Sequence, residues 1–299
     1  MANQLEQLLG HSAFCHVGKS RRIPGSMMNC KSMTDVLNKT CTTFPYRFLP
    51  ECTLSINPIR GYPMKITLPM SGGGEYQVNP SKIVALGLNY LEHIKESQSV
   101  DVQNFTNEIP TEPLLFPKTP NVLIGPGEAI ILPAFVFAYG FADCRTDHEA
   151  ELAIIIKDRV KNLKAADAME HILGFTCFND VSQRNLQKSD KSGWFRGKSL
   201  DTFGPIGPIV VSPEDIGDPQ NLEIVCRLNG TVTQRSNTRH MIFTIPEIIA
   251  FVTKNFTLEA GDIIITGTPS GVGPLHDGDV VEVEIENIGI LRNPVRAEN

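Results

Sequence analysis

The chain has 299 residues, of which 41% are hydrophobic and 20% are charged. This length and balance predict one large globular domain, or one such domain with a small appendage. The formal net charge is −6, which argues against a nucleic-acid or membrane-surface binder because such proteins usually carry an excess of basic residues. Small molecules are therefore the expected partners.

The sequence contains no sign of membrane insertion or secretion. No stretch approaches the ~20 apolar residues of a membrane-spanning helix, and residues 1–9 lack the apolar core of a secretory signal. The seven cysteines include no Cys-x-x-Cys pair, so they predict reduced thiols and neither a disulfide framework nor a zinc site. We therefore expect a soluble protein of the cytoplasm.

The segment 1–63 differs from the remainder of the chain. Its first fifty residues hold six basic residues against two acidic ones, and its hydrophobic periodicity is weak. A small appended domain, a targeting peptide and an extension with little structure are all compatible with this composition. We predict a separate main domain over residues 64–299, and an organellar matrix as the location if the basic segment is a targeting sequence.

The predicted elements of the main domain are mostly short strands. Apolar runs bounded by Gly, Pro or Asn predict strands, and the Asn-Gly pair at 229–230 predicts a hairpin. In chain order the predicted strands cover 64–68, 76–78, 82–87, 114–116, 122–124, 130–132, 152–156, 172–178, 209–211, 222–228, 261–265 and 280–285. The predicted helices cover 88–96, 165–173, 181–187 and 246–252, and residues 194–205 form a predicted loop. The predicted fold class is mainly β with short helices (α+β).

Three carboxylates stand at the ends of predicted strands. Glu149 and Glu151 are two residues apart at the start of one strand and so point to the same face, and Asp180 follows the next apolar run. Like charges so placed repel each other unless a proton or a cation lies between them. An all-oxygen ligand set suits magnesium or manganese better than zinc. The alternative is a solvated strand edge with an ordinary turn aspartate.

A candidate general base lies on the predicted helix 88–96. His93 and Glu96 are three residues apart and therefore neighbours on one face of this helix. A carboxylate beside an imidazole fixes its tautomer and raises its basicity, as a general base requires. The alternative is a solvated helix face, because Glu92 and Lys95 belong to the same helix.

Two more side chains could hold an acidic substrate beside a metal. Arg184 and Gln187 share a face of the predicted helix 181–187 with Asp180, and arginine is suited to binding carboxylates. The alternative is a pair of surface residues. Lys118 is either an interior cation near the carboxylates or a loop lysine.

A glycine-rich turn follows the predicted strand 261–265. Its exposed backbone amides, with the Thr268 hydroxyl, could bind a carboxylate. It is not a nucleotide-binding loop, because the Gly-x4-Gly-Lys-Ser/Thr pattern is absent.

Six separated motifs occur in one order along the chain. They are Gly87-x-Asn89-Tyr90-x-x-His93-x-x-Glu96, Glu112-Pro113, Glu149-x-Glu151-Leu152, Asn179-Asp180-Val181-Ser182-x-Arg184-x-x-Gln187, Lys198-Ser199-x-Asp201-Thr202, and Gly261-Asp262 through Thr266-Gly267-Thr268-Pro269. With these motifs, residues 82–295 resemble the fumarylacetoacetate hydrolase family, in particular its short acylpyruvase and oxaloacetate-decarboxylase members.

The resemblance implies a mixed β-roll fold, a homodimer, and magnesium or manganese as the cofactor of a catalytic domain over 64–299. The site residues that it implies are, for the metal, Glu149, Glu151 and Asp180; for catalysis, His93, Glu96 and the oxyanion-stabilising Lys198; and for the substrate, Gln187 and Thr268. Arg184 is added to the substrate residues from its helical spacing alone. Three positions depart from the usual pattern of the family. Asn185 replaces an aspartate, Leu200 replaces a phenylalanine, and Thr119 separates a lysine and a proline that are usually adjacent. These departures bear on substrate preference.

The implied function is magnesium-dependent hydrolysis of a C–C bond in a β-dicarbonyl 2-oxo acid of the acylpyruvate or fumarylpyruvate type. The metal would stabilise the departing enolate, and water activated by His93 would attack the distal carbonyl. Three alternatives stay open: an oxaloacetate decarboxylase, a 2-hydroxyhepta-2,4-diene-1,7-dioate isomerase, and a catalytically inactive metal-binding scaffold.

Overall fold

A computed structural model describes residues 65–99, 109–191 and 194–298. The predicted segment 1–63 and the proposed domain boundary at residue 64 lie outside these residues. No helix in the described part of the chain is long and apolar enough to cross a membrane.

The described residues are mainly β, as predicted. The strands are β1 Thr67–Pro69, β2 Glu75–Gln77, β3 Ile83–Gly87, β4 Leu114–Lys118, β5 Leu123–Ile124, β6 Ile130–Leu132, β7 Thr146–His148, β8 Ala150–Ile156, β9 Ile172–Asn179, β10 Ser182–Gln183, β11 Gly204–Val211, β12 Glu223–Leu228, β13 Thr231–Asn237, β14 Ile263–Ile265, β15 Gly273–Pro274, β16 Val280–Ile285 and β17 Gly289–Ala297. The helices are α1 Leu91–Ser99, α2 Ala134–Phe137, α3 Arg184–Ser189, α4 Phe195–Lys198 and α5 Ile245–Asn255, with 3-10 turns at Pro120–Val122, Ala165–His171 and Thr238–His240.

The strands form two large sheets and two small ones. A seven-stranded sheet has the order β4-β3-β14-β8-β9-β11-β5, and a five-stranded sheet has the order β13-β12-β16-β17-β6. Both are mixed, because β3 pairs with β14 and β6 with β17 in parallel while most other pairs are antiparallel. The two sheets pack together through β16 and β17 of one and β8 and β9 of the other. The mixed β-roll class is therefore confirmed.

Strand β8 lies at the centre of the seven-stranded sheet. All seven of its residues are buried, because β14 and β9 pair with its two edges and the five-stranded sheet covers one face. A central strand with both faces covered favours β-branched residues, and Ile154, Ile155 and Ile156 are fully buried. Any charged residue at the start of β8 is therefore also withdrawn from water.

Helix α5 shows how local sequence sets an element boundary. Thr244 and Glu247 form a capping box, in which the Glu247 carboxylate accepts a hydrogen bond from the Thr244 backbone N–H at 2.8 Å. Pro246 lies in the first turn, where its missing N–H costs no intrahelical bond. The predicted helix 246–252 is confirmed, with one more residue before it and three after it.

Three local predictions need correction. The predicted helix 165–173 is a 3-10 turn that ends at His171, because Ile172 already pairs with Ile156 as the first residue of β9. The predicted helix 181–187 begins only at Arg184, because Ser182–Gln183 pair with β7 as β10. The predicted loop 194–205 contains α4 and the start of β11. In the first two cases strand pairing overrides helical composition.

Asp262 joins the starts of β3 and β14. Its Oδ1 accepts hydrogen bonds from the Ser81 N–H at 2.9 Å, the Ser81 hydroxyl at 2.7 Å and the Lys82 N–H at 3.0 Å. Its Oδ2 accepts from the Glu259 N–H at 2.8 Å and from the Lys82 ammonium. Burial alone would raise the pKa of Asp262, but these hydrogen bonds hold it below its ordinary value of 3.8.

We expect Asp262→Asn to lower the free energy of unfolding by about 1–3 kcal/mol, because an amide N–H₂ would face the donors that now point at Oδ2. The carboxylate stabilises the fold fully above its unfolded pKa, and this contribution is lost as the pH falls through the lower folded pKa. Urea unfolding of both proteins at neutral and acid pH measures the difference, which should shrink in acid.

The matched control for this substitution is Asp167→Asn, at an exposed carboxylate on the Ala165–His171 turn. It should leave the unfolding midpoint unchanged. Equal stability of the Asp262→Asn and Asp167→Asn variants would show that the Asp262 network contributes nothing to the fold.

Candidate metal centre and active site

The three predicted metal ligands meet at one edge of the seven-stranded sheet. Glu149 immediately precedes β8, Glu151 is its second residue, and Asp180 immediately follows β9. Antiparallel pairing places Ala150 opposite Asn179, and the Asp180 N–H donates to the Glu149 carbonyl at 2.8 Å. One carboxylate oxygen from each of the three lies within 4.8 Å of the others, and all three residues are buried. The antiparallel pairing of β8 with β9 thus brings the three carboxylates together.

Two buried lysines balance part of this negative charge. The Lys198 Nζ, at the end of α4, donates to Glu149 Oε2 at 2.7 Å and to Asp180 Oδ2 at 2.6 Å. The Lys118 Nζ, at the end of β4, lies 2.6 Å from Asp180 Oδ1 and also donates to the Lys198 carbonyl. Lys118 is therefore an interior cation of the site, which decides between the two readings that the sequence allowed.

Arg184 contacts the carboxylates more closely than the sequence suggested. Its Nε donates to Asp147 Oδ2 at 2.8 Å, its Nη2 donates to Glu149 Oε1, and its Nη1 donates to the Gln187 side-chain oxygen at 3.0 Å. Arg145 binds the other oxygen of Asp147 at 2.7 Å. The Arg184 guanidinium therefore orients the Glu149 carboxylate, and its role as a substrate contact stays a prediction.

Charge is distributed unevenly over the cluster. Burial opposes ionisation of Glu149, but Lys198 and Arg184 hold the pKa of this carboxyl well below its usual range. Burial, together with the Asp180 and Glu149 carboxylates, raises the pKa of Glu151 well above 4.5. Among the described residues no ammonium or guanidinium group makes an ion pair with Glu151, which accepts a hydrogen bond from the Gly267 N–H at 2.7 Å.

These residues fit a hard divalent cation. The donor set is entirely carboxylate oxygen, as magnesium and manganese prefer. The pKa of Glu151 is raised because the nearby positive charges do not balance the negative charge around it. A cation bound there would favour the ionised form of Glu151. Glu149, Glu151 and Asp180 are therefore the residues that would hold the ion.

The predicted dyad lies on α1, at the same cavity. The His93 Nδ1 is 3.5 Å from Glu96 Oε2, and this oxygen also accepts a hydrogen bond from the Gly271 N–H at 2.9 Å. Burial alone would raise the pKa of Glu96, but the contacts with His93 and Gly271 lower it. Glu96 is thus an ionised partner that can orient the imidazole.

The glycine-rich turn after β14 binds carboxylates, but they belong to the protein. The Gly267 N–H donates to Glu151 and the Gly271 N–H donates to Glu96. Glycine is required at Gly267, whose φ of +93° lies in the left-handed region and where a Cβ would come within 2.8 Å of the Asn89 side chain. Two amides of the turn thus bind carboxylates, as the sequence suggested, and Thr268 lines the cavity.

Many of these groups line one cavity of about 560 Å³, including its open mouth. Its polar lining includes the dyad, Glu149, Glu151, Lys198 and Thr268. Apolar residues also line it, and two of them, Phe116 and Trp194, meet edge to face with ring centroids 5.3 Å apart. The apolar residues of the wall are Leu86, Leu88, Phe116, Trp194 and Val272.

Sequence reasoning missed several residues of this site. Asp147 is two residues before Glu149, so the strand alternation that paired Glu149 with Glu151 could also have found it. Trp194 belongs to the aromatic loop that the sequence marks as unusual, although its contact with the cavity depends on the fold. Gln234 had no local signal, because it approaches from the five-stranded sheet.

A mixed β-roll whose sheet edge holds a buried, all-carboxylate ligand set beside a His–Glu pair defines a narrow class of protein. The chain belongs to the fumarylacetoacetate hydrolase family, because the family profile described as Fumarylacetoacetate (FAA) hydrolase C-terminal matches residues 82–296. The resemblance noted from the motifs is thereby confirmed. Proteins of this family are generally enzymes, among them hydrolases, isomerases and decarboxylases.

Individual relatives carry different activities. The chain is 37% identical over 293 residues to the human mitochondrial oxaloacetate tautomerase FAHD2B, covering 94% of this chain and 87% of that protein. It is 38% identical to the crystal structure of 2-hydroxyhepta-2,4-diene-1,7-dioate isomerase from Mycobacterium marinum, with a TM-score of 0.63 and coverage of 75% and 79%. The fumarylpyruvate hydrolase from Pseudomonas aeruginosa, solved with Mn²⁺ and pyruvate, shares the fold at 24% identity, with a TM-score of 0.69 and coverage of 81% and 100%.

Proposed function

We propose that the protein is a metal-dependent enzyme that interconverts the keto and enol forms of oxaloacetate. The observation that carries the proposal is that Glu149 and Glu151, which cluster with Asp180, line one cavity together with the His93–Glu96 pair. Tautomerisation needs a base at C3 and stabilisation of the enolate that results. A divalent ion, when bound, would supply Lewis-acid stabilisation of negative charge on the 2-oxo group.

The side chains of this protein would perform the proton transfers. His93, oriented by the ionised Glu96 carboxylate, takes the proton from C3 of the keto form, the enolate oxygen takes up a proton from solvent to give the enol, and the reverse transfers regenerate the keto form. Lys198 lies beside the cluster with its ammonium fixed by Glu149 and Asp180, and its charge offsets that of an oxyanion in the cavity. Gln187 and Thr268 contact the substrate carboxylates.

Oxaloacetate is favoured as the substrate by relatives that align with almost the whole chain and are named oxaloacetate tautomerases. The alignment with the human tautomerase covers 94% of this chain and 87% of that protein. Residues outside the family profile are therefore also shared with a protein whose named activity is oxaloacetate tautomerisation.

A second candidate is hydrolytic C–C cleavage of an acylpyruvate, which the sequence motifs predicted. The apolar wall formed by Leu88, Trp194 and Val272 favours it, because a substrate with an apolar acyl group would bury that group there. Both reactions pass through an enolate, but hydrolysis also needs an activated water.

The test is a substrate panel with the purified protein, with magnesium or manganese and with a chelator. Loss of the ultraviolet absorbance of enol-oxaloacetate should be faster than in the protein-free solution of the same metal, and the chelator should abolish the difference. Cleavage of acylpyruvates and fumarylpyruvate, decarboxylation of oxaloacetate, and isomerisation of dienoates are measured in parallel. Metal-dependent hydrolysis without tautomerisation would support the second candidate, and no reaction with any substrate would support a non-catalytic scaffold.

Removal of residues 1–63 tests the proposed domain boundary. We expect a chain that starts at Met64 to fold and to retain the turnover of the full chain, because the cavity-lining residues come from positions 86–272. Circular dichroism and the panel above measure both properties. An insoluble or inactive truncated protein would assign the segment to the working domain.

A homodimer in the cytoplasm or in an organellar matrix is part of the same proposal. Sedimentation equilibrium tests the oligomeric state, and fractionation of cells expressing the full chain and the truncated chain tests the location.

A further inference from the structure

Gln234 connects the five-stranded sheet to the candidate site. It lies on β13 and is 1% exposed. Its Oε1 accepts hydrogen bonds from the Ala150 N–H at 3.0 Å and from His148 Nδ1 at 3.2 Å. Its Nε2 donates to the Pro269 carbonyl at 2.8 Å and to the Thr268 hydroxyl oxygen at 2.8 Å. One buried amide therefore touches the residues on both sides of Glu149 and the predicted substrate contact.

The backbone partners fix which way this amide faces. The Ala150 N–H can only donate, so the atom beside it must be the side-chain oxygen. The Pro269 carbonyl can only accept, so the atom beside it must be the side-chain nitrogen. The two N–H bonds of Gln234 are consequently used by Pro269 and Thr268, and reversing the amide would break both backbone bonds.

This orientation determines the role of the Thr268 hydroxyl. The Thr268 oxygen accepts from Gln234, so its own hydrogen must point elsewhere. Among the described residues the Thr268 hydroxyl donates to no acceptor, and Thr268 lines the cavity that holds the carboxylate cluster. The hydroxyl is thus presented to the cavity as a donor, which suits an anionic oxygen of a ligand.

We infer that Gln234 is a positioning residue, which holds Thr268 as a hydrogen-bond donor to a substrate carboxylate. This inference rests on the proposed function, because it assigns a role towards a 2-oxo acid in the same cavity. Gln234 reaches the substrate only through Thr268, so its effect should fall on substrate binding and should disappear when the Thr268 hydroxyl is absent.

Gln234→Met tests this inference, because it keeps the length of the side chain and removes the donors to Thr268 and Pro269, together with the oxygen that accepts from Ala150. We expect kcat/KM for oxaloacetate to fall about 10- to 100-fold, as for the loss of one hydrogen bond to a charged group. The change should appear mainly in KM, with kcat and the affinity for magnesium changed much less. Thr268→Val should give a similar KM, and Thr268→Ser, which retains the hydroxyl, should restore most of the wild-type value.

The double variant separates positioning from a merely structural role. If Gln234 acts through Thr268, the double variant Gln234→Met with Thr268→Val should bind substrate no worse than Thr268→Val alone. Gln220→Met is the matched control, because the Gln220 amide also bridges two segments, donating to the Thr238 carbonyl at 2.8 Å and accepting from the Ile245 N–H at 2.9 Å, away from the cavity. This control should lower the unfolding midpoint to a similar degree and leave KM unchanged.

The outcomes distinguish this inference from the proposed function. Wild-type protein that turns over none of the substrates would overturn both. Active wild-type protein with an unchanged KM in Gln234→Met, additive effects in the double variant, or an equal rise of KM in Gln220→Met would overturn the role of Gln234 alone.

Discussion

Glu151→Gln is expected to abolish metal-dependent turnover while the fold stays intact. The substitution removes one of the three carboxyl groups of the buried cluster, and a neutral amide binds a hard divalent ion much more weakly than a carboxylate. The glutamine oxygen can still accept the Gly267 N–H, so no buried donor is lost. Glu151→Ala should be equally inactive but less stable, by about 1–3 kcal/mol, because it leaves that N–H without a partner.

Metal analysis after dialysis and calorimetric titration with magnesium or manganese measure the effect. The control is Glu170→Gln, which removes an exposed carboxylate from the Ala165–His171 turn and should bind metal and turn over as the wild type does. Full metal-dependent turnover of either Glu151 variant, or zinc that survives dialysis stoichiometrically in the wild type, would show that the cluster has been assigned wrongly.

His93→Ala is expected to lower turnover about 10²- to 10⁴-fold, the usual contribution of a general base. Metal affinity should change little, because His93 is not one of the three clustered ligands. Glu96→Gln should reduce turnover less, since the imidazole remains but loses the charge that orients it. Steady-state kinetics of tautomerisation and acylpyruvate cleavage, with parallel metal titrations, measure these effects.

Decarboxylation of oxaloacetate provides an internal control for this prediction. It requires neither an attacking water nor removal of a C3 proton, so it should respond less than tautomerisation or hydrolysis to loss of the base. Equal losses of all activities in His93→Ala would contradict a role in proton transfer and would assign His93 to positioning the substrate.

The carboxylate cluster was predictable because its determinants are local. Glu149 and Glu151 share a face through the alternation of strand side chains, and Asp180 follows an apolar run long enough to pair with that strand. The His93–Glu96 pair follows from helical spacing in the same way. Motif spacing added the assignment to a family, and with it the β-roll.

Other parts of the site depend on contacts that no local pattern contains. Lys118 and Lys198 are far apart in sequence, and only the packing of β4 against α4 brings both to Asp180. The amides of the glycine-rich turn were expected to bind a carboxylate, and the fold supplies Glu151 and Glu96 to two of them. The sequence alone could not name these two residues, because they reach the turn from β8 and α1.

The cavity-lining residues are far apart in sequence, from Leu86 in β3 to Val272 after β14. This separation affects the order in which the site forms during synthesis. During synthesis β8, β9 and the carboxylates leave the ribosome well before Gly267 and Thr268 do. Until those later residues arrive, Glu151 lacks the Gly267 N–H, and Gln234 lacks Thr268 as a hydrogen-bond partner. Contacts between such distant segments form slowly because long loops must close first. The candidate site is therefore incomplete until Gly267 and Thr268 have been translated, and so is the seven-stranded sheet, because β14 immediately precedes them and pairs with both β3 and β8.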